Sequence, residues 1–155
     1  LVVTAKKDGI AFNSTIIKAA DVKVEAEEPK PLDIEVKEAK EGASFVIDNI
    51  LYNTNSAELK PESHIILESF ADYLKENKTI SIEIQGHTDN VGNPGDNEAL
   101  STNRAFSVKS LLEEYGIEGK RIRAKGFGAS KPIADNSSEA GRAKNRRTEF
   151  LILGK

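Results

Sequence analysis

The sequence predicts an α/β fold of the α+β kind, a two-layer sandwich in which a mixed four-stranded sheet carries helices on one face. Two patterns lead there. Ile80, Ile82 and Ile84 alternate with Ser81, Glu83 and Gln85, the period-two signature of a half-buried strand. Leu100, Val108, Leu111, Leu112 and Tyr115 then recur at helical spacing. Such segments take turns along the chain, which implies right-handed crossovers that lay helices on one side of the sheet.

In chain order, residues 1–20 read as a β-hairpin, Leu1–Thr4 against Ile10–Phe12, with the turn signal Asp8-Gly9 between them. A two-stranded hairpin is marginal in water, so it is expected to be the end of an upstream domain. Residues 21–43 read as an acidic, stiff linker around Pro29-Lys30-Pro31, and Leu32, Ile34 and Val36 within it have the period of an edge strand. The main domain is expected over 44–155.

That domain opens with a strand over Phe45–Tyr52 and a turn, Asn53-Thr54-Asn55-Ser56. Pro61 suits the first turn of a helix, where its missing N–H has no partner to lose, and Ile66, Phe70, Tyr73 and Leu74 form that helix's apolar stripe. After the Ile80–Ile84 strand comes a polar loop bounded by Gly86 and Gly92. A helix from about Glu98 to Tyr115 follows, ended by Gly116 at a left-handed cap. Ile122 and Ala124 mark a third strand, Glu139–Asn145 a short helix, and Phe150–Leu153 a last strand whose unbroken apolar run implies burial on both faces.

Composition narrows the function. The chain has 155 residues, enough for one domain of ordinary size and an appendage. No apolar run approaches the roughly 18 residues that a membrane-spanning helix needs. A start at Leu1 and the absence of methionine lead to the expectation of a C-terminal piece of a longer protein. With no cysteine there is no disulfide, thiolate metal site or cysteine nucleophile. Residues 101–155 carry 12 Lys and Arg against 6 Asp and Glu, so the anion-facing half is the second one. A pI near 5.5 and few aromatics there argue against nucleic acid.

Arg104 is the odd residue. By spacing it falls within the arc of Leu100, Val108, Leu111 and Leu112, where a guanidinium needs an anionic partner, and Asp89 in the preceding loop is the nearest candidate. A structural ion pair and a ligand clamp both fit that reading. Metal is disfavoured: His87, with Asp89 two residues on, lacks further ligands, His64 has no matching spacing, and Val91 occupies a position where a calcium loop needs oxygen. No cofactor is expected. Gly126 and Gly128 read as backbone-conformation positions, and Arg142, Lys144 and Arg147 as surface or loop-tethering charges.

Four motifs stand in order: Gly86-His87-Thr88-Asp89-Asn90-Val91-Gly92, Asn97-Glu98-Ala99-Leu100-Ser101-Thr102-Asn103-Arg104-Ala105, Gly126–Asn136 and Gly141–Arg147. Together they resemble the OmpA C-terminal-like (OmpA/MotB/Pal) peptidoglycan-binding domain family over about residues 45–153. The resemblance implies the same α/β sandwich and a noncatalytic module whose ligand is the free end of meso-diaminopimelate in the peptidoglycan stem peptide. It implies that Asp89 accepts from the ligand's ammonium and that Arg104 takes the carboxylate through its planar fork. Asn97 would add a neutral hydrogen bond, Arg146 would close the site from the C-terminal side, and Asn55 would line the groove. Backbone N–H groups near Glu98 and Ala99 would favour an anion. The implied setting is the periplasmic face of the outer membrane of a Gram-negative bacterium. There the module would tether upstream outer-membrane-associated domains of the same protein to the wall. A periplasmic wall-peptide hydrolase and a purely structural or oligomerisation domain are the alternatives.

Overall fold

The computed structural model describes residues 2–5, 13–16, 40–47 and 50–154. Near the N-terminus β1 (Val2–Ala5) pairs antiparallel with β2 (Asn13–Ile16), Val2 opposite Ile16. A hairpin is thus present, but its second strand is Asn13–Ile16. The segment Ile10–Phe12 expected in that role, the turn before it, and residues 21–39 of the expected linker with the edge strand at Leu32, Ile34 and Val36 lie outside the described residues.

The main domain runs β3 (Ser44–Val46), α1 (Pro61–Glu76), β4 (Ser81–Gly86), α2 (Pro94–Glu114), β5 (Ile122–Gly126), α3 (Glu139–Asn145) and β6 (Thr148–Gly154). A single 3₁₀ turn at Gly119–Arg121 leads into β5. The four strands order as β3-β6-β4-β5, with β4 and β5 parallel and the other neighbours antiparallel. This is the mixed four-stranded α+β sandwich that the alternation of patterns predicts.

Local chemistry explains where the elements stop. Pro61 sits in the first turn of α1, as expected, and Gly116 adopts φ 96° just beyond α2. At the other end of α2, Asn93 caps the helix by accepting from the Gly95 N–H at 2.8 Å, with Pro94 at the first position. The helix therefore begins about a turn before Glu98, and Asn93-Pro94-Gly95-Asp96 is helix start, not loop. The N–H groups of Glu98 and Ala99 lie inside the helix ladder, so they are not the terminal donors expected for an anion.

Two strand expectations also change. β3 ends at Val46; Tyr52 makes only an isolated bridge to Leu59, across a turn in which Asn55 takes the left-handed φ of 52° that asparagine tolerates. In β6 burial alternates: Thr148, Phe150 and Ile152 are buried, while Glu149, Leu151 and Leu153 are partly exposed. Among the described residues helices cover one face of the sheet, and the apolar run is buried on that face alone.

The core lies between that face and α1 and α2. Ile66, Leu67, Phe70 and Leu74 of α1, Val108 and Leu112 of α2, and Ile82, Ile84, Phe150 and Ile152 of the sheet are all buried. Phe70 meets Phe150 edge to face at 5.0 Å. Each such side chain contributes roughly 1.5–3 kcal/mol on burial, so this cluster dominates the domain's stability. Arg121 ties the layers at one end, donating to the carbonyls of Ile80, Leu74 and Asn77 at 2.9 Å each.

Paired glycines set the height of α2 over the sheet. Gly86 of β4 and Gly126 of β5 stand side by side. A Cβ at Gly86 would meet the Ser101 carbonyl oxygen at 2.2 Å, and one at Gly126 would meet the Thr102 N–H at 2.3 Å. The missing methyls let the helix backbone rest on the strands. Ser101 locks the contact, donating to the Glu98 carbonyl and accepting from the Gly128 N–H, each at 2.9 Å.

Candidate functional site

The loop that leaves β4, the first half of α2, the 53–56 turn and α3 meet at the C-terminal ends of the parallel strands, the usual location of ligand crevices in open α/β sheets. Backbone bonds hold the loop in place: His87 N–H to the Arg147 carbonyl at 3.0 Å, Thr88 N–H to the Gly128 carbonyl at 2.9 Å. Asn97 staples its far side, its amide donating to the carbonyls of Val91 at 3.0 Å and Asp89 at 3.3 Å.

These elements enclose a cavity of about 320 Å³, lined by Asn55, Asp89, Asn97, Arg104 and Arg146 together with Glu139 and Arg142. All five residues that the sequence nominates reach one cavity, from four separate segments of the chain.

The charges pair differently from the expectation. Asp89 accepts from Arg146 Nη1 at 2.6 Å and from the Val91 N–H at 2.9 Å, and no Asp89–Arg104 ion pair forms among the described residues. Burial opposes the Asp89 charge, but the Arg146 bond, the Val91 N–H and the Arg142 field outweigh it and hold the carboxyl below its ordinary pKa. Asp89 is thus a carboxylate at neutral pH. Arg146 spreads its fork over two acids, giving Nη2 to Glu139 at 2.6 Å.

Arg104 is tethered by one edge only. Its Nε donates to the Ser56 carbonyl at 2.9 Å and its guanidinium lies 4.8 Å from the centre of the Tyr52 ring. Among the described residues no partner engages its two Nη groups. Burial, and secondarily the neighbouring Arg146, lower its pKa, while Tyr52 works the other way. Arg104 is therefore a half-buried cation beside a second arginine, with the N–H donors of both Nη groups unengaged by the described residues. Its place on the helix is also corrected: the buried line of α2 is Ser101, Ala105, Val108, Leu111 and Leu112, and Arg104 sits at its edge.

Sequence patterns missed two contributors. Tyr52, read as the end of a strand, supports Arg104 and hydrogen-bonds Thr148 Oγ1 at 3.0 Å, and burial pushes its phenol up to about 12. Glu139, read only as the start of a helix, orients Arg146. Tyr52 acts across the fold on a residue 52 positions along the chain, and Glu139 on one seven positions away, a spacing that the short helix between them does not advertise. Arg142 and Arg147 do tether: Arg142 donates to the Asn136 carbonyl, and Arg147 to the carbonyls of Lys131 and Asn145. His87 is buried flat against Phe127 at 5.4 Å, and no group of three metal-ligating side chains occurs among the described residues.

The OmpA family model matches residues 51–146, which contains the loop, α2, α3 and the cavity. The chain belongs to the OmpA family. It is 39% identical over 105 residues to outer membrane porin F of Pseudomonas aeruginosa, covering 67% of this chain and 30% of that protein. It is 40% identical over 103 residues to the peptidoglycan-binding protein ArfA of Mycobacterium tuberculosis, covering 66% of this chain and 32% of that one. The chain therefore spans about a third of the length of these relatives. Among solved structures, the peptidoglycan-associated lipoprotein of Burkholderia pseudomallei superposes with a TM-score of 0.59 at 31% identity, over 70% of this chain and 88% of that one. The sandwich fold and the family that the sequence motifs imply are both shown by these matches. No helix among the described residues is long and apolar enough to cross a membrane.

Proposed function

We propose that this chain is a noncatalytic peptidoglycan-binding module that grips the free end of diaminopimelate in the stem peptide. That end is a zwitterion, an ammonium and a carboxylate on one carbon. The observation that carries the reading is the cavity's paired chemistry, the Asp89 carboxylate on one wall and the unengaged Nη donors of Arg104 on another. Asp89 accepts from the ammonium and Arg104 takes the carboxylate, each as a charge-assisted bond worth about 1.5–3 kcal/mol. Arg146 and Glu139 hold Asp89 in position, and the Asn97 amide, already donating to the loop, offers its oxygen to the ammonium. Asn55 closes the rim.

Membership of the OmpA family and likeness to proteins named for peptidoglycan support the ligand class. The named outer-membrane and wall-associated relatives support a place on the periplasmic face of the outer membrane of a Gram-negative bacterium. There the module would tether the upstream domains of its own protein to the wall. Against a hydrolase stands the commitment of the buried Ser101 hydroxyl, a conceivable nucleophile near the cavity, to the Glu98 carbonyl and the Gly128 N–H.

Titration of the protein with meso-diaminopimelate, followed by amide NMR, tests the reading. Saturable shifts at Asp89, Asn97 and Arg104 are expected, with no turnover of muropeptides. Absence of those shifts at millimolar ligand would overturn it.

A further inference from the structure

Next to that cavity, and sharing Arg104 and Arg146 with it, is a second one of about 200 Å³, open to solvent and lined by Tyr52, Gly86, His87, Arg104, Arg146, Arg147 and Thr148, with Ile50 and Leu51. The Arg104 and Arg146 side chains are thus within reach of a ligand that spans both cavities. His87 is 2% exposed, and neither ring nitrogen has a hydrogen-bond partner among the described residues. Buried polar atoms are normally satisfied, so an orphaned imidazole on a cavity wall calls for an occupant. Arg147 is spent on Glu149 and two carbonyls, and Arg146 on Asp89 and Glu139. Among the described residues Arg104 has no anionic partner, and it lines both cavities.

We propose that this second cavity is a carboxylate subsite, filled by the second carboxylate of the same diaminopimelate. The proposal rests on the reading above and extends it to ligand specificity. Diaminopimelate has two amino-acid ends joined by three methylenes. With one end between Asp89 and Arg104, the spacer passes the Arg104 and Arg146 heads and the other carboxylate accepts from a His87 N–H and the Tyr52 or Thr148 hydroxyl. In a stem peptide that carboxylate is free only where the peptide ends at diaminopimelate, so the module selects trimmed stems over extended ones.

Charges around the imidazole agree with this. Burial, Arg147 and Lys131 lower the His87 pKa to about 4, against the pull of Glu149, whose Oε2 is 4.0 Å away. The ring is neutral at pH 7, with one N–H to give. An anion beside it would raise its midpoint.

Lysine supplies the test, because it is diaminopimelate with one carboxylate deleted. The protein is titrated separately with meso-diaminopimelate, L-lysine and D-lysine, following the Asn97 amide for the first site and the His87 ring protons for the second. The expected result is at least tenfold tighter binding of diaminopimelate, with a His87 midpoint raised only by diaminopimelate. Equal affinities, or a His87 midpoint unmoved by saturating diaminopimelate, would overturn the subsite while leaving the first site standing. Failure of all three to move Asn97 would instead remove the reading on which it rests.

Discussion

The two halves of α2 obey different rules. From Ala105 to Leu112 the helix packs apolar side chains into the core, and its place is fixed by burial. From Asn97 to Arg104 it rests its backbone on Gly86 and Gly126, and Asn97, Ser101 and Arg104 are held by hydrogen bonds. One half supplies stability and the other positions the site. Polar chemistry can therefore be placed a single turn from a hydrophobic core, provided the sheet beneath lacks side chains.

The largest test of that division is Leu112→Ala in the core half. It should cost about 2–5 kcal/mol in chemical denaturation, yet leave diaminopimelate affinity unchanged wherever the protein is folded. A folded Leu112→Ala protein that cannot bind would show that the halves are not separable.

Acid should expose the polar half. The His87 pKa is about 4 in the folded protein against an ordinary 6.5, so the folded state binds fewer protons. Its contribution is complete above pH 6.5 and is lost as pH falls towards 4, about 3 kcal/mol in all. The lowered pKa of Asp89 adds a further loss below its ordinary 3.8. Melting curves between pH 7 and 3 should show both losses, and His87→Phe should flatten the first. An unchanged melting temperature from pH 7 to 4 would contradict the burial assigned to this ring.

Arg104→Lys comes next. The charge survives but the fork does not, so diaminopimelate binding should weaken at least tenfold, about 1.4 kcal/mol, with little change in melting temperature. Normal binding by this variant would remove Arg104 from the clamp.

Arg104→Ala sharpens the same point on the stability side. Stranding a buried partner would cost about 3–5 kcal/mol, but Asp89 keeps Arg146 here, so the loss should be about 1 kcal/mol from the Ser56 bond and the Tyr52 contact. Calorimetry distinguishes the two figures. The smallest effect should come from removing residues 1–40, since the ladder of the main domain begins only where the Gly42 N–H bonds the Ile152 carbonyl. Cooperative melting at an unchanged temperature is the expected outcome.

Much of this was legible in the sequence because local rules wrote it there. The alternation of Ile80, Ile82 and Ile84, Pro61 at a helix start and Gly116 at a helix end each depend on near neighbours. The five site residues could be nominated together because their motifs resemble a family's. What could not be read was which arginine Asp89 would take: Arg146 lies 57 residues away, and only the meeting of α3 with the loop decides it. The early start of α2 was hidden because Asn93-Pro94-Gly95-Asp96 has turn chemistry, and the same residues make a good capped first turn. The run Phe150–Leu153 misled because apolar composition does not say whether a second layer of helices exists to cover it.

The direction of β3 has a mechanical consequence. The chain enters the sheet at the Ser44 end of β3, beside Leu151, while the ligand cavity lies beyond the opposite end, where Gly86 faces Thr148. A pull between a wall-bound ligand and the upstream chain would run along the strands. Because antiparallel hydrogen bonds stand perpendicular to their strands, such a load meets the β3–β6 ladder in shear and strains its bonds together, where a peeling load would part them one by one.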